Sequence, residues 1–278
     1  MKDLAERIAV ITGAASGIGR ACALALAGAG VRIVVADIDV AGANELAAAA
    51  SGPERALAVG CDIGEPQTFE ELKAAALAHF GRVEIVMNNA GVLSSGRPEE
   101  LPLAEWQRVI DLNLMSVVRS NAAFLPLLIA QREGHIVNTA SFAGLYSYAF
   151  DRLPYAASKA AVIQLSEGLA LYLKPQGIGV TCLCPGPVQT GIMRGAKHFS
   201  SGLDMRGPGP QFGLLEPEAV GAMVVEAIRN DVFMLPTHPQ VRELLIARAS
   251  DWDAFLQRQI ATPHVVRSAA DAALPGRG

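Results

Sequence analysis

Aromatic residues are scarce in this chain: phenylalanine, tyrosine and tryptophan make up 5% of 278 residues, whereas hydrophobic residues of all kinds make up 51%. A core with so few large rings must be built from Ala, Gly, Val, Ile and Leu, which suits helices packed closely on a sheet. Cysteine is sparse too. Cys22, Cys61, Cys182 and Cys184 stand in apolar or strand-like contexts without paired metal spacing, so they read as small buried hydrophobes in a reducing compartment. The five histidines, His79, His135, His198, His238 and His264, show no ligand spacing either, and no metal is expected. Basic runs are missing and the net charge is −4, which argues against a nucleic-acid partner. Met1–Arg7 is charged and leads straight into an apolar strand-like run, with no signal-peptide core. Apolar stretches of spanning length with suitable flanks are wanting, and Ala21–Ala29 is too short and Gly-punctuated to cross a bilayer. A soluble, cytoplasmic protein with no membrane partner is expected. The length allows one large α/β domain or two small ones.

The most informative stretch is Tyr155-Ala156-Ala157-Ser158-Lys159, which opens a helical pattern through Val162, Leu165, Leu169 and Leu173. On a helix, residues four apart share a face, so the Lys159 ammonium can lie beside the Tyr155 phenol and favour its phenolate. Such a pair can move a proton. By itself Tyr-x-x-x-Lys is also a common accident, and three upstream stretches decide between the two.

Arg7–Ile11 reads as a strand and Ala21–Ala29 as a helix, with Thr12-Gly13-Ala14-Ala15-Ser16-Gly17-Ile18-Gly19-Arg20 between them. Strand, glycine turn and helix form the context in which glycines bind phosphate. Gly13 permits the tight turn, Gly17 the approach of a pyrophosphate, and Gly19 the packing of helix on strand. A second strand, Val31–Ala36, ends in Asp37, where a dinucleotide fold places the acid that binds ribose hydroxyls and repels a 2′-phosphate. Ala15 and Ser16 carry no charge, so NAD is favoured over NADP. Asp39 is the expected cap of a helix over 40–50. A strand Ala56–Val59 leads to Asp62, and a helix over 66–80, with Phe69, Leu72, Ala76 and Phe80 on one face, ends at Gly81. The apolar run Val83–Met87 ends in Asn88-Asn89-Ala90-Gly91, whose amides must find partners. Residues 101–132 form one long helical pattern in which Pro126 predicts a kink, and Asn113 is a buried amide in need of a reason. Strands over 134–139, 178–183 and 232–235 complete the alternation, with Ser141 just after the first of these. That alternation predicts a parallel sheet with helices on both faces and a ligand at the strands' carboxyl ends.

Together, Thr12-Gly13-x-x-x-Gly17-x-Gly19, Asn88-Asn89-Ala90-Gly91, Ser141 with Tyr155-x-x-x-Lys159, and Pro185-Gly186 resemble the short-chain dehydrogenase/reductase family over about residues 5–235. The resemblance implies an α/β fold of three layers, a Rossmann fold whose doubly wound parallel sheet has about seven strands with helices on both faces. By position, it implies that Ser141 holds the substrate carbonyl and that Tyr155 is the acid/base. Lys159 is implied to bind the nicotinamide ribose and lower the tyrosine pKa. Asn113 is implied to kink its helix and hold a water that links Lys159 to solvent. Asp62 would lie beside the adenine, and Val188 and Thr190 at the carboxamide. Asn89 would line the cofactor, with Ser16, Ile18, Ile63, Ala90, Gly91, Pro185 and Gly186. Hydride would then move between the nicotinamide and a carbinol carbon while Tyr155 moves the proton.

Ser141 and Tyr155 are fourteen apart, one more than is usual in the family, and the intervening loop can absorb the extra residue. A single domain over 1–260 is expected, with a substrate lid at 191–213, where neither strand nor helix period is seen, an extra amphipathic helix at about 241–260 and a flexible tail at 261–278. Leu145, Tyr146, Tyr148 and Phe150 on one wall, and Ile192, Met193, Phe199, Leu203, Met205 and Phe212 on the lid, would make an apolar pocket. The expected activity is NAD-dependent interconversion of a hydrophobic secondary alcohol and its ketone, in a homotetramer as is frequent in the resembling family. The alternatives are a 3-oxoacyl carrier-protein reductase and a catalytically silent NAD-binding protein.

Overall fold

The computed structural model describes residues 1–50, 54–203 and 205–261. The apolar runs form seven strands: β1 (Ile8–Thr12), β2 (Arg32–Asp37), β3 (Ala56–Gly60), β4 (Ile85–Asn88), β5 (Gly134–Thr139), β6 (Ile178–Cys184) and β7 (Met234–Pro236). They make one sheet in the order β3-β2-β1-β4-β5-β6-β7, with every neighbouring pair parallel. Parallel strands need crossovers, and helices supply them. These are α1 (Gly17–Gly28), α2 (Val40–Ala49), α3 (Thr68–Phe80), α4 (Leu103–Ile110) with α5 (Ser116–Gln131), α6 (Phe142–Leu145) with α7 (Leu153–Leu173), and α8 (Pro217–Arg229).

Successive strand side chains point to opposite faces, and both faces are buried. Ile11, Ile33 and Val35 pack with Cys22, Leu26, Leu46, Val224 and Ile228 from α1, α2 and α8. Val10, Val34 and Ala36 pack with Phe69, Leu72, Phe124, Leu128 and Leu173 from α3, α5 and α7. The result is a three-layer Rossmann α/β fold, and burial on both sides is why the strands read as unbroken apolar runs. Each fully buried Val, Leu or Ile contributes roughly 1.5–3 kcal/mol of transfer free energy. Small residues let helices close in: a Cβ on Gly221 of α8 would lie 2.6 Å from the Ala21 carbonyl oxygen of α1. Asp39 caps α2 by accepting from the Gly42 N–H at 3.1 Å, and Gly81, at φ 81°, ends α3.

Three expectations are corrected. The helical pattern of 101–132 is not one α-helix: α4 and α5 are joined by a π-turn, Asp111–Met115, centred on Asn113, while Pro126 sits within α5. The combined Leu103–Gln131 helix is long and apolar enough to cross a membrane by length and composition, yet Val117, Phe124 and Leu128 are buried against the protein's own core. The helix expected over 241–260 is two, α9 (Val241–Ser250) and α10 (Trp252–Ala261), because Asp251 is extended at φ −155° and its carboxylate accepts from the Ala254 N–H at 2.9 Å. Within 191–213, expected to lack regular structure, Lys197–His198 pairs in parallel with Ser94–Ser95, and Gly191–Met193 forms a 3-10 turn. The tail expected at 261–278 lies, beyond Ala261, outside the described residues.

Candidate active site

The strand order reverses between β1 and β4, and a cleft of about 680 Å³ opens at the carboxyl ends of the strands there. Its floor is the glycine turn after β1. Gly13 and Gly17 have φ of 65° and 52°, left-handed values that a side chain disfavours. A Cβ on Gly19 would lie 2.1 Å from the Gly13 oxygen, so the helix can meet the turn only without one. Ser16 precedes α1 without capping it, and the first turn, Gly17-Ile18-Gly19-Arg20, contains no acid. The positive end of α1 therefore faces the cleft uncompensated, ready for an anion.

Asp37 and Asp62 line the cleft where β2 and β3 end. Asp37 Oδ2 accepts from the Ala15 N–H at 2.8 Å and Oδ1 from the Asp39 N–H at 2.9 Å, which fixes the carboxylate against the glycine turn. Asp62 Oδ1 accepts from the Gly64 N–H at 2.9 Å. Beside them Ile38, 70% exposed, and Ile63 present apolar faces suited to a flat ring. The amides after β4 find their partners. Asn89 Nδ2 donates to the Thr12 and Gly13 carbonyls at 3.1 and 3.2 Å, and its Oδ1 accepts from Thr139 Oγ1 at 3.3 Å. Asn88 donates to Asn138, which donates to Ser166 of α7, so a buried polar ladder ties β4 and β5 to that helix.

Tyr155 and Lys159, on the first turns of α7, and Ser141, just after β5, meet in the same cleft. Burial raises the Tyr155 phenol above its ordinary pKa, while the Ser141 hydroxyl and the Arg152 guanidinium pull it down. The Lys159 Nζ lies 5.8 Å from the Tyr155 ring centre and donates to the Thr139 carbonyl at 2.7 Å. Burial in turn lowers Lys159 to about 8. Asn113 stands behind the cleft: it donates to the Val92 carbonyl and Ser158 Oγ and accepts from the Val92 N–H, all within 3.0 Å. These sideways bonds hold the widened π-turn. A Cβ on Gly91 would lie 3.0 Å from Asn113 Oδ1 and 3.5 Å from Lys159 Nζ, so only glycine leaves the gap between them open.

Of the residues predicted for the site, Gly13, Ser16, Gly17, Ile18, Asp37, Asp62, Ile63, Asn89, Ala90, Gly91, Ser141, Tyr155, Lys159, Pro185, Gly186, Val188 and Thr190 all line the cleft. Gly19 and Asn113 support it from behind. Thr12, Ile38, Cys61, Thr139 and Arg194 were missed. Thr12 Oγ1 accepts from the Asn89 and Ala90 N–H groups, a role that a lone threonine does not advertise. His238, given no role from the sequence, faces the Gly213 carbonyl with Nε2 at 2.7 Å and Thr237 Oγ1 with Nδ1 at 3.0 Å. The Gly186 N–H donates to that Thr237 hydroxyl at 2.9 Å, so His238 links the Pro185-Gly186 turn to the end of segment 191–213.

The expected pocket walls need correction. Tyr146 and Tyr148 are buried in an aromatic cluster with Phe142, Phe212 and Phe255, and Phe150 and Met193 are exposed. Phe142, Leu145, Tyr146 and Tyr148 turn away from the cleft and into the packing against α9 and α10. Ile192 lines the cleft as expected, and Val92, Leu93 and Leu112, not foreseen, add to its apolar lining.

Comparison with known proteins agrees with this geometry. Residues 7–200 match the family model described as short chain dehydrogenase. An uncharacterised oxidoreductase of Staphylococcus epidermidis is 31% identical over 249 residues, 88% of this chain and 99% of that protein. The 1-deoxy-11-beta-hydroxypentalenate dehydrogenase of Streptomyces exfoliatus is 35% identical over 244 residues, 86% of each. A short chain dehydrogenase/reductase from Burkholderia phymatum, solved in complex with NAD, superposes with a TM-score of 0.80 at 32% identity, covering 96% of this chain and 100% of that one. A 3-ketoacyl-(acyl-carrier-protein) reductase from Brucella melitensis, complexed with NADH, superposes at 0.74 and 28% identity, covering 84% and 97%. With the family model matched over more than half of the chain, and relatives of 31% and 35% identity aligned over 88% and 86% of it, the chain belongs to the short-chain dehydrogenase family of oxidoreductases.

Proposed function

We propose that this protein is an NAD-dependent oxidoreductase that interconverts a hydrophobic secondary alcohol and its ketone. The observation that carries this is the meeting of Ser141, Tyr155 and Lys159 in one cleft with an open helix N-terminus and the Asp37 carboxylate. Ser16, Gly17 and Ile18 would hold the dinucleotide's pyrophosphate at the open end of α1, Ile38 and Ile63 would flank its adenine, and Asp37 would accept from its ribose hydroxyls. When bound, the dinucleotide accepts or supplies the hydride. Ser141 holds the substrate oxygen and Tyr155 takes its proton during oxidation. Lys159 would orient the second ribose, and with its pKa lowered by burial to about 8 it would pass the proton on through the gap beside Gly91 and Asn113. Ser141, whose hydroxyl favours the phenolate, would also steady it as it develops. Val92, Leu93 and Ile192 form an apolar surface, where burying a polyol's unpaired hydroxyls would be costly.

The test is a panel of alcohols and ketones followed by absorbance of the reduced cofactor. Aryl and alicyclic carbinols are expected to outperform polyols, and Ile192→Ser should raise KM for them while leaving NAD binding unchanged. Tyr155→Phe should lower turnover by at least about 10³ with NAD affinity nearly intact. Substantial residual turnover in that variant would remove Tyr155 from its role. The similarity to the Brucella reductase favours a second reading, reduction of a 3-oxoacyl thioester on a carrier protein. That relative was solved with NADH, so cofactor choice does not separate the two. A higher kcat/KM for an acetoacetyl-carrier-protein than for any carbinol would select the second.

A further inference from the structure

The connection between Ser141 and Tyr155, longer and bulkier than the chemistry requires, grips the covering segment 191–213. Asp151 is 1% exposed and pairs with Arg152, Nε to Oδ1, at 2.6 Å. Asp151 Oδ2 accepts from the Arg206 N–H at 2.9 Å, and Arg152 Nη2 donates to the Arg206 carbonyl at 2.6 Å. One buried ion pair thus holds both backbone groups of a single residue in the covering segment. Nearby, the Tyr146 hydroxyl donates to the Pro208 carbonyl at 3.2 Å, and the Arg206 guanidinium lies 5.7 Å from the Phe150 ring centre. The Asp151 carbonyl accepts from the Gly96 N–H at 2.9 Å, which joins the same point to the stretch that pairs with Lys197–His198.

For stability alone this is a poor arrangement. Burying two charges costs desolvation that a well-packed apolar pair would avoid. Arg152 also occupies the N-cap of α7, where the helix dipole disfavours a cation, and it makes no capping bond there. What the arrangement does supply is a fixed positive charge three residues before Tyr155, joined to the covering segment.

We propose that the Asp151–Arg152 pair is a latch that fastens the covering segment at Arg206 to the first turn of α7, with Arg152 as a positioning residue that aligns and charges the Tyr155 site. The charging half rests on the assignment of Tyr155 as acid/base; the latch half does not. The groups facing Tyr155 are Lys159 on its own helix, Ser141 after β5, Cys184 on β6, Tyr148 in the gripping segment, and Arg152 with its partner Asp151. Among them Ser141 and Arg152 lower the phenol, and Lys159 is engaged by Thr139.

Two measurements on the full chain with NAD present test this: hydrogen exchange of the amides in 191–213, and the Tyr155 phenolate titration, taken as wild type minus Tyr155→Phe at 295 nm. Arg152→Met is expected to speed exchange about tenfold or more and to raise the Tyr155 midpoint by about one unit. Arg152→Lys should restore the midpoint but not the protection, because an ammonium keeps the charge and loses the fork. Arg206→Pro removes the N–H that Asp151 accepts while leaving the ion pair in place, so it tests the latch even if Arg152→Met fails to fold. It should speed exchange without moving the midpoint, and Arg206→Ala should do neither. Wild-type exchange in Arg206→Pro would overturn the latch, and an unmoved midpoint in a folded Arg152→Met would overturn the charging role. Retained turnover in Tyr155→Phe would overturn the charging half and the functional assignment, and the exchange data would still decide the latch.

Discussion

Asp37 and Lys159 show how one residue can serve the cleft at a cost to the fold or to the choice of ligand. Asp37 is held by two backbone N–H groups, so its charge cannot swing away from a cofactor carrying a 2′-phosphate. A preference for NAD over NADP of at least about tenfold in kcat/KM, near 1.4 kcal/mol, is expected, and Asp37→Ala should narrow it. Steady-state kinetics with both cofactors checks this, and equal use of the two by the wild type would refute it. Lys159 is buried with its pKa lowered from 10.5 to about 8, so below pH 8 the folded state bears a cost on the order of 3 kcal/mol for holding the charge. Between about 8 and 10.5 the unfolded chain binds more protons than the folded one, so stability rises with pH as that cost disappears. Lys159→Met keeps the stem's volume and removes the charge, though it leaves the Thr139 carbonyl without a donor, which returns roughly 1 kcal/mol. The variant should be inactive yet melt higher than wild type at pH 6.5, with a smaller gap at pH 9.5. A gap that widens with pH would contradict this account. At this scale the sequence exposed the residues whose chemistry is rare. Tyr155, Lys159, Asp37 and the glycines were legible, whereas Thr12 and Thr139 act through a hydroxyl and a carbonyl that any chain possesses.

At the scale of elements, helix packing is governed by small residues that propensity alone would replace. Gly221 lies inside α8, and Gly→Ala in a helix interior ordinarily gains about 1 kcal/mol. Here the new Cβ would meet the Ala21 carbonyl at 2.6 Å, a backbone atom that cannot step aside without moving α1. Overpacking costs about 1–3 kcal/mol, so Gly221→Ala should lower the melting temperature by roughly 2–4 °C per kcal/mol lost, where propensity would raise it. Thermal unfolding followed by circular dichroism decides between the two signs. The seven strands were visible to within two residues because burial on both faces makes them continuous apolar runs. The π-turn was not, since it depends on Asn113 meeting Val92 and Ser158 from distant parts of the chain. The break at Asp251 was missed because the apolar period continues across it, and only the carboxylate's bond to Ala254 ends one helix and starts the next.

For the whole molecule, exposed apolar side chains on two helices point to assembly. Met115 ends the π-turn and Val118 lies in the first turn of α5, Leu171 and Tyr172 lie at the end of α7, and all four are exposed. Covering such positions by copies of the same chain predicts a homotetramer with two-fold axes. Light scattering at micromolar concentration should give four times the chain mass; a dimer would mean that one of the two faces is unused, and a monomer would overturn the prediction. By itself the sequence determined the layer architecture, the position of the glycine turn and the order of Ser141, Tyr155 and Lys159, which the fold gathers in one cleft. Those depend on local period, on glycine's backbone freedom and on rare functional groups in order along the chain. Only the tertiary structure decided how Tyr155 and Lys159 are charged, which walls line the cleft and what holds its cover. Burial raised the Tyr155 phenol, the aromatic residues after Ser141 turned into the core against α9 and α10, and Asp151 with Arg152 found Arg206. Each of these depends on desolvation and on contacts between residues far apart in sequence, and neither is written in spacing.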